Sequence, residues 1–258
     1  MVVETAEVIS LNGLGNDLFH LRLWAEKITK QAFPGQFVHV YCGEGESLDP
    51  LLPRPFSLFR IQKEDGVLEL IFRVGGKGTS SLSRKVSGER LQLLGPLGRG
   101  FTESHYFSRV LLFAGGIGMP PLYSLAESSK GVDFTLFYGG RSRSDLVFLD
   151  EWQRMGVQLR LATDDGSVGH QGTLVELASS LLLPQAADFY YACGPKPMLK
   201  AVKQLMDNLK IPGELSLEER MACGVGACLG CVCQTVDGYV RVCTEGPVFP
   251  AEEVVFDE

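Results

Sequence analysis

The sequence has no excess of positive charge and only four histidines. Its 24 lysines and arginines stand against 31 aspartates and glutamates, which gives a formal net charge of −7 at pH 7. Nucleic acid is recognised through its phosphates by a basic patch, so this balance argues against a nucleic-acid partner. The histidines are scattered without metal-ligand spacing, and we assign no catalytic role to His20, His39, His105 or His170.

Membrane and export signals are also missing. No apolar run approaches the roughly 20 residues that a helix needs to cross a bilayer. The N-terminus, MVVETAEVISLNGLGNDLFHLRLW, has no basic region followed by a continuous apolar stretch, so we expect no signal peptide. The sequence therefore predicts a cytoplasmic protein with no membrane partner.

What the sequence does have is a cluster of cysteines. Five of its seven cysteines lie between Cys223 and Cys243, and in a cytosolic chain clustered cysteines more often bind metal than form disulfides. The spacing is C-x4-C-x2-C, then eleven residues, then a further cysteine. The first three cysteines match the plant-type [2Fe–2S] pattern. The predicted ligands are Cys223, Cys228, Cys231 and Cys243.

Two alternatives stay open for this segment. A zinc knot usually pairs two C-x2-C units around one tetrahedral ion, and only one such unit occurs here. Cys233, two residues after Cys231, could replace Cys243 as the fourth ligand. We interpret Cys233 as a small buried residue, because a C-x2-C-x-C run does not match the cluster pattern.

The chain divides into three zones of different composition. Residues 1–100 contain six short β-rich segments separated by turn residues, which predicts a small antiparallel barrel; among them VLELIFRV alternates and predicts a half-buried strand. Residues 101–212 alternate strand and helix, which predicts a parallel sheet covered by helices. Residues 213–258 are rich in cysteine and glycine and poor in core residues, so a metal cluster is expected to hold them together.

Two motifs in the first zone suit a pyrophosphate. The segment RPFS begins with Arg54, whose guanidinium is always charged and can bond two phosphate oxygens at once. The segment GKGTSSL places Gly78 and Thr79 at the start of a predicted short helix, where backbone N–H groups can face an anion. RPFS alone is equally typical of an ordinary strand with a surface arginine.

The second zone carries two glycine motifs at strand ends. Gly115, Gly116 and Gly118 follow the predicted strand RVLLF and open a helix, an arrangement that lets the backbone approach a pyrophosphate closely. The segment Cys193-Gly194-Pro195 ends the strand DFYYA at the edge where open α/β sheets bind ligands, although Cys193 could be a plain buried residue. Gly13-Leu14-Gly15, by contrast, lies between two β segments and predicts a hairpin turn.

The order of these motifs resembles the ferredoxin reductase superfamily. RPFS, GKGTSSL, GPLGRGF, AGGIGMPPL, YYACGPKPML and the cysteine loop follow one another along almost the whole chain. A C-terminal cluster loop reading MACGVGACLGCVC most resembles the electron-transfer subunit family of type B dihydroorotate dehydrogenase. This resemblance implies an FAD-binding barrel, an NAD-binding α/β domain and a small [2Fe–2S] domain. It implies an FAD site formed by Arg54, Pro55, Phe56, Ser57, Ile71, Phe72, Arg73, Gly78 and Thr79.

The resemblance also implies a function. Nicotinamide moves two electrons as hydride and a [2Fe–2S] cluster accepts one at a time, so FAD is expected to convert between them. The implied partner is an FMN-containing catalytic subunit that oxidises dihydroorotate in pyrimidine biosynthesis, in a heterotetramer of two chains each. Cys193 would approach the nicotinamide. The resemblance favours NAD, although Arg141 and Arg143 could meet a 2′-phosphate.

Two rival functions remain. An NAD(P)H:ferredoxin or hydrogenase-type reductase subunit can share every motif above. A zinc-stabilised binding module that has kept a reductase fold would be colourless, whereas flavin and an iron–sulfur cluster both absorb visible light.

Overall fold

The computed structural model describes residues 1–43 and 49–256. Residues 44–48 of the first zone and 257–258 of the third lie outside the described residues. Within the described part, no helix is long and apolar enough to cross a membrane.

The first zone forms a closed six-stranded antiparallel barrel with the strand order β1-β2-β5-β4-β3-β6. Alternating apolar side chains of these strands fill its interior. Two six-residue helices accompany the barrel, α1 (Glu26–Gln31) and α2 (Lys77–Leu82). The strands are β1 (Val2–Gly15), β2 (Leu18–Trp24), β3 (Phe37–Val40), β4 (Arg54–Gln62), β5 (Val67–Arg73) and β6 (Arg90–Leu97).

Two details of the barrel differ from the sequence prediction. Strand β1 continues through Gly15, and the left-handed residues that turn the hairpin are Gly15, Asn16 and Asp17. Strand β5 is buried on both faces rather than one, up to Phe72. The reason is that the outer face of the barrel is covered by the second zone, where Ile71 joins a core cluster with residues of the parallel sheet.

The second zone forms five strands of a sheet that the third zone completes with β12 and β15. The strand order is β10-β9-β8-β7-β11-β12-β15, and all strands are parallel except the last. The strands are β7 (Arg109–Gly115), β8 (Asp133–Gly140), β9 (Gln158–Thr163), β10 (His170–Gln171), β11 (Phe189–Cys193), β12 (Gly213–Ser216) and β15 (Val248–Pro250). The helices are α3 (Met119–Ser128), α4 (Leu149–Arg154), α5 (Leu174–Leu181) and α6 (Lys196–Leu209), with 3-10 turns at Ser104–Tyr106, Gly116–Gly118 and Arg143–Asp145.

The third zone is joined to this sheet at both ends. Strand β12 pairs with β11, and β15 pairs with β12 in the antiparallel sense. Between them the chain forms the cysteine loop and a two-stranded hairpin, β13 (Val232–Thr235) and β14 (Gly238–Arg241). The sheet therefore holds the loop at its base. The fold class predicted from the sequence, a barrel followed by an α/β sheet and a small C-terminal segment, is confirmed.

Candidate functional site

The predicted nicotinamide motifs meet at one cavity of about 800 Å³. It opens where the strand order reverses: the chain moves from β7 outward through β8 and β9, then returns to place β11 on the other side of β7. Ligands of open α/β sheets bind at such a point. Gly115, Gly116, Gly118, Gly194 and Pro195 all line the cavity.

A close backbone contact shapes this cavity. A Cβ on Gly118 would lie 2.3 Å from the carbonyl oxygen of Cys193, so only glycine lets the turn after β7 approach the end of β11. The Cys193 side chain is fully buried, burial raises the pKa of its thiol, and it is not among the cavity-lining residues. The structure thus brings the Cys193 backbone to the site without exposing its thiol there.

The two candidate arginines differ in position. Arg141 lines the nicotinamide cavity. The guanidinium of Arg143 donates to the carbonyl of Leu146, 2.7 Å away, within its own turn. Arg141 is therefore the better placed of the two to meet a ribose substituent.

A second cavity, of about 260 Å³, lies between the barrel and the C-terminal segment. Its barrel wall consists of residues predicted for the flavin site, namely Pro55, Phe56, Ser57, Ile71, Phe72 and Arg73. The opposite wall includes Leu217, Met221 and Pro247. Two aromatic rings, Phe56 and Phe72, lie 5.7 Å apart in this wall and give it an apolar surface. A planar apolar ring system suits such a slot.

The remaining predicted flavin residues lie together outside this cavity. A Cβ on Gly78 would be 3.2 Å from Arg54 Nε, so the arginine side chain lies directly over the start of α2. The Thr79 hydroxyl accepts from the N–H groups of Gly75 and Gly76, at 2.9 and 3.2 Å. These two amides are therefore already engaged, and the charge available to a pyrophosphate comes from Arg54.

The two cavities are contiguous. Arg73, Ile117 and Glu218 line both of them. A ring bound in one cavity would consequently lie next to a ring bound in the other. Glu218 was missed by the sequence reasoning; its only signal was its place two residues after β12, in SLEERM immediately before the cysteine loop.

Glu218 is an unusual acid. Its side chain is accessible because it faces both cavities, yet the surrounding protein removes enough water to raise the pKa of its carboxyl. The carboxyl therefore binds its proton more tightly than an exposed glutamate does. Filling the cavities would strengthen this effect, because it would remove the remaining water.

Arg73 is held in place from the neighbouring domain. Its Nη2 donates to Asp145 Oδ1 at 2.7 Å, and Asn16 Nδ2 donates to the same oxygen at 2.7 Å. Burial alone would raise the pKa of Asp145, but the hydrogen bond and charge of Arg73 lower it overall. The pair therefore ties the barrel to the sheet beside the shared wall.

The cysteine loop supplies hydrogen bonds to sulfur. The N–H groups of Val225 and Cys228 donate to Cys223 Sγ, each at 3.4 Å, and the Val225 bond is the main reason that the pKa of this thiol falls to about 6. The N–H of Gly226 donates to Cys243 Sγ at 3.2 Å. Amides that point at sulfur fit a thiolate or an iron–sulfur cluster.

The four predicted ligands associate as two pairs. The thiols of Cys223 and Cys228 form a hydrogen bond with each other. Burial, followed by a hydrogen bond with the Cys231 thiol, raises the pKa of Cys243 to about 11. Within residues 1–43 and 49–256, no three His, Cys, Asp or Glu side chains are placed so as to hold one metal ion. A two-iron cluster takes two ligands on each iron, and the two observed pairs fit it.

Cys233 belongs to neither pair, although it packs in the same core cluster as Cys231 and Cys243. It is on β13 opposite Val240, it is 9% exposed, and it packs in the same core cluster as Phe249 and Val254. Burial raises the pKa of its thiol to about 11. Its position is that of a small core residue.

Comparisons with known proteins agree with this geometry. A family described as the iron-sulfur cluster binding domain of dihydroorotate dehydrogenase B matches residues 218–255, and the oxidoreductase NAD-binding domain matches residues 112–204. The dihydroorotate dehydrogenase B (NAD(+)) electron transfer subunit of Desulforamulus reducens is 40% identical over 99% of each chain. The same subunit of Geobacillus thermodenitrificans is 41% identical over 98% of each chain.

Solved structures show the same fold. A chain of the NADH-dependent reduced ferredoxin-NADP oxidoreductase has a TM-score of 0.86 and 29% identity, covering 97% of this chain and 89% of that one. A ferredoxin NADP+ reductase from Neisseria gonorrhoeae, solved with bound FAD and NADP, has a TM-score of 0.68 over 80% of this chain and 91% of its own. At 16% identity the second likeness concerns the fold alone.

The barrel, the sheet and the cysteine loop together define a ferredoxin reductase-like oxidoreductase that relays electrons between FAD, a [2Fe–2S] cluster and NAD. The full-length similarity to the curated subunits is greater than that to the ferredoxin-linked structure. The chain belongs to the family of electron transfer subunits of dihydroorotate dehydrogenase B (NAD(+)). This confirms the predicted family and favours it over a general ferredoxin or hydrogenase-type reductase.

Proposed function

We propose that the chain accepts electrons from an FMN-containing dihydroorotate dehydrogenase subunit and delivers them to NAD+, in a heterotetramer of two chains each. When bound, the cluster supplies single-electron transfer, FAD the conversion between one and two electrons, and nicotinamide the hydride acceptor. The observation that carries the proposal is the contiguity of the two cavities, whose shared wall ends where the cysteine loop begins.

We assign the residues of this chain as follows. Arg54 supplies positive charge for the FAD pyrophosphate, with Gly78 allowing it to lie over α2. The flavin cavity excludes water through its apolar walls, and Glu218, whose carboxyl has a raised pKa, lies at the shared wall. The FAD site comprises Arg54, Pro55, Phe56, Ser57, Ile71, Phe72, Arg73, Gly78 and Thr79. The NAD site comprises Gly115, Gly116, Gly118, Cys193, Gly194 and Pro195, and the cluster ligands are Cys223, Cys228, Cys231 and Cys243.

The surface around the cysteine loop supports a protein partner. Leu229, Val236 and Tyr239 are 62%, 64% and 74% exposed, and Val225 and Val232 are exposed beside them. An apolar patch of this kind is typical of an interaction surface. Cys228 is exposed within the same patch, so an electron donor that docks there would approach the cluster directly.

We also propose a cytoplasmic location and retain the division into residues 1–100, 101–212 and 213–258. None of the seven cysteines, all of which lie among the described residues, forms a disulfide, as expected in a reducing compartment. The last boundary precedes β12 directly, so the third zone would depend on the sheet of the second for its fold.

The direct test is co-expression with a type B catalytic subunit. The purified complex should contain FMN, FAD, iron and sulfide, and it should reduce NAD+ when dihydroorotate is added. The catalytic subunit alone is the control and should not reduce NAD+. A stable complex with all cofactors but no dihydroorotate-dependent NADH formation would refute the proposal.

A further inference from the structure

A buried histidine, His39, lies against the cysteine loop. His39 is 1% exposed, and neither Nδ1 nor Nε2 has a hydrogen-bond partner among the described residues. A buried polar group that stays unpaired costs about 1–3 kcal/mol. Native proteins rarely leave such a group unsatisfied, so a partner beyond the described residues is expected.

The contact of the ring with the loop is close. A Cβ on Gly224 would lie 2.6 Å from His39 Cε1 and 2.8 and 3.0 Å from Nδ1 and Nε2. The ring edge that carries both nitrogens therefore faces the buried backbone next to Cys223. Gly224 has φ +68°, and with no Cβ it leaves room for this approach.

His39 also belongs to the flavin-binding side of the molecule. It lies on β3 opposite Pro55 of β4, and Phe37, two residues away on the same face, lines the flavin cavity. The rings of Phe37 and His39 are 5.8 Å apart. The histidine thus occupies the seam between the barrel and the cysteine loop.

We propose that an N–H of His39 donates a hydrogen bond to a sulfur of the [2Fe–2S] group and makes His39 a positioning residue that raises the reduction potential of the cluster. The inference rests on the proposed ligand set. Burial lowers the pKa of His39 to about 4, but the ring carries at least one N–H in either protonation state, so the donor is present throughout. A hydrogen bond to sulfur stabilises the reduced, more negative cluster, which is why the potential rises.

The first test uses the unaltered protein. The complex with its catalytic subunit is labelled with 15N-histidine, and the reduced cluster is studied by pulsed electron paramagnetic resonance in H2O and in D2O. A 15N coupling together with an exchangeable proton coupling is expected, and both should vanish in His39→Leu. A reduced cluster without any histidine 15N coupling would overturn the inference, whereas absence of the cluster from the unaltered complex would refute the proposed ligand set instead.

The second test is a redox titration of the same complex and its variants. His39→Leu should shift the midpoint potential of the cluster to a lower value, and His39→Gln or His39→Asn, which keep an N–H near one ring nitrogen, should restore part of it. His105→Leu, a change at an exposed histidine, should leave the potential unchanged. An unchanged cluster potential in His39→Leu would overturn the inference. A shift of the FAD potential alone would also overturn it, because that result would place the partner of His39 on the flavin.

Discussion

Arg73 of the barrel and Asp145 of the parallel-sheet domain form an ion pair 2.7 Å long at the wall shared by the two cavities. Asp145 is only 4% exposed at its side chain, so the pair is poorly screened by water. The carboxylate also accepts the N–H of Arg141 at 3.0 Å. A single buried carboxylate thus joins a strand end of the barrel to a cavity-lining turn of the sheet.

Replacing this carboxylate should loosen the junction. Asp145→Asn keeps the shape but removes the charge, and we expect it to lower the free energy of unfolding by about 2 kcal/mol because Arg73 loses its buried partner. Urea unfolding of the cofactor-loaded chain measures the change. Glu26→Gln, which breaks the exposed pair with Lys30, is the control and should leave the free energy of unfolding nearly unchanged. Equal effects of the two substitutions would contradict the role of Asp145.

Glu218 should impose a pH dependence on stability. Near pH 4 and below, the Glu218 carboxyl is largely protonated in both the folded and the unfolded chain. It therefore does not change the free energy of unfolding there. Its pKa is raised in the folded chain, so as the pH rises through the ordinary glutamate range the unfolded chain ionises first and stability is lost. Glu218→Gln should therefore have the higher melting temperature at pH 7–8 and match the unaltered protein near pH 4.

The control for this measurement is Glu252→Gln, a change at an exposed glutamate. Its melting temperature should follow that of the unaltered protein at every pH. Parallel profiles for Glu218→Gln and the unaltered protein would show that the pKa of this carboxyl is not raised by folding.

The cysteines offer a matched pair of substitutions. Cys243→Ser removes a thiol that is 1% exposed, accepts the Gly226 N–H and contacts Cys231, so we expect loss of iron, sulfide and the cluster absorption bands while FAD stays bound. Cys233→Ser alters a buried core thiol that belongs to neither pair, so its iron content should be unchanged. Loss of the cluster in Cys233→Ser, with retention in Cys243→Ser, would move the fourth ligand to Cys233. Zinc in place of iron, in a colourless protein, would support the zinc alternative.

The sequence was sufficient for the architecture and for local motifs. Turn residues and apolar periodicity predicted all six barrel strands, and the strand-helix alternation predicted the main parallel sheet, because both patterns depend on neighbours along the chain. Burial of β5 on both faces could not be predicted, since it depends on the sheet domain covering Ile71. The Arg73–Asp145 pair joins residues 72 positions apart, and no local pattern announces it.

The same limit applies to His39 and Glu218. The surroundings of each residue become evident only in the folded chain, where β3 packs against the cysteine loop and the segment after β12 reaches both cavities. The four histidines show no ligand spacing, so no sequence pattern singles out His39. Burial without a bonding partner is a property of the folded chain.

Gly118 should be intolerant of any side chain. In Gly118→Ala the new Cβ would lie 2.3 Å from the Cys193 carbonyl oxygen and 2.8 Å from the Gly194 nitrogen, so the end of β11 must move away from the turn after β7. Because both segments line the nicotinamide cavity, we expect the Kd for NADH to rise about tenfold or more, equivalent to about 1.4 kcal/mol, while FAD and the cluster remain bound. Anaerobic stopped-flow reduction of FAD at increasing NADH concentrations measures this constant.

Gly75→Ala is the control, because nothing lies within 4 Å of its Cβ position and no strained φ is involved. This variant should bind NADH as the unaltered protein does. Normal NADH binding by Gly118→Ala would mean that the contact between these two strand ends does not shape the nicotinamide site.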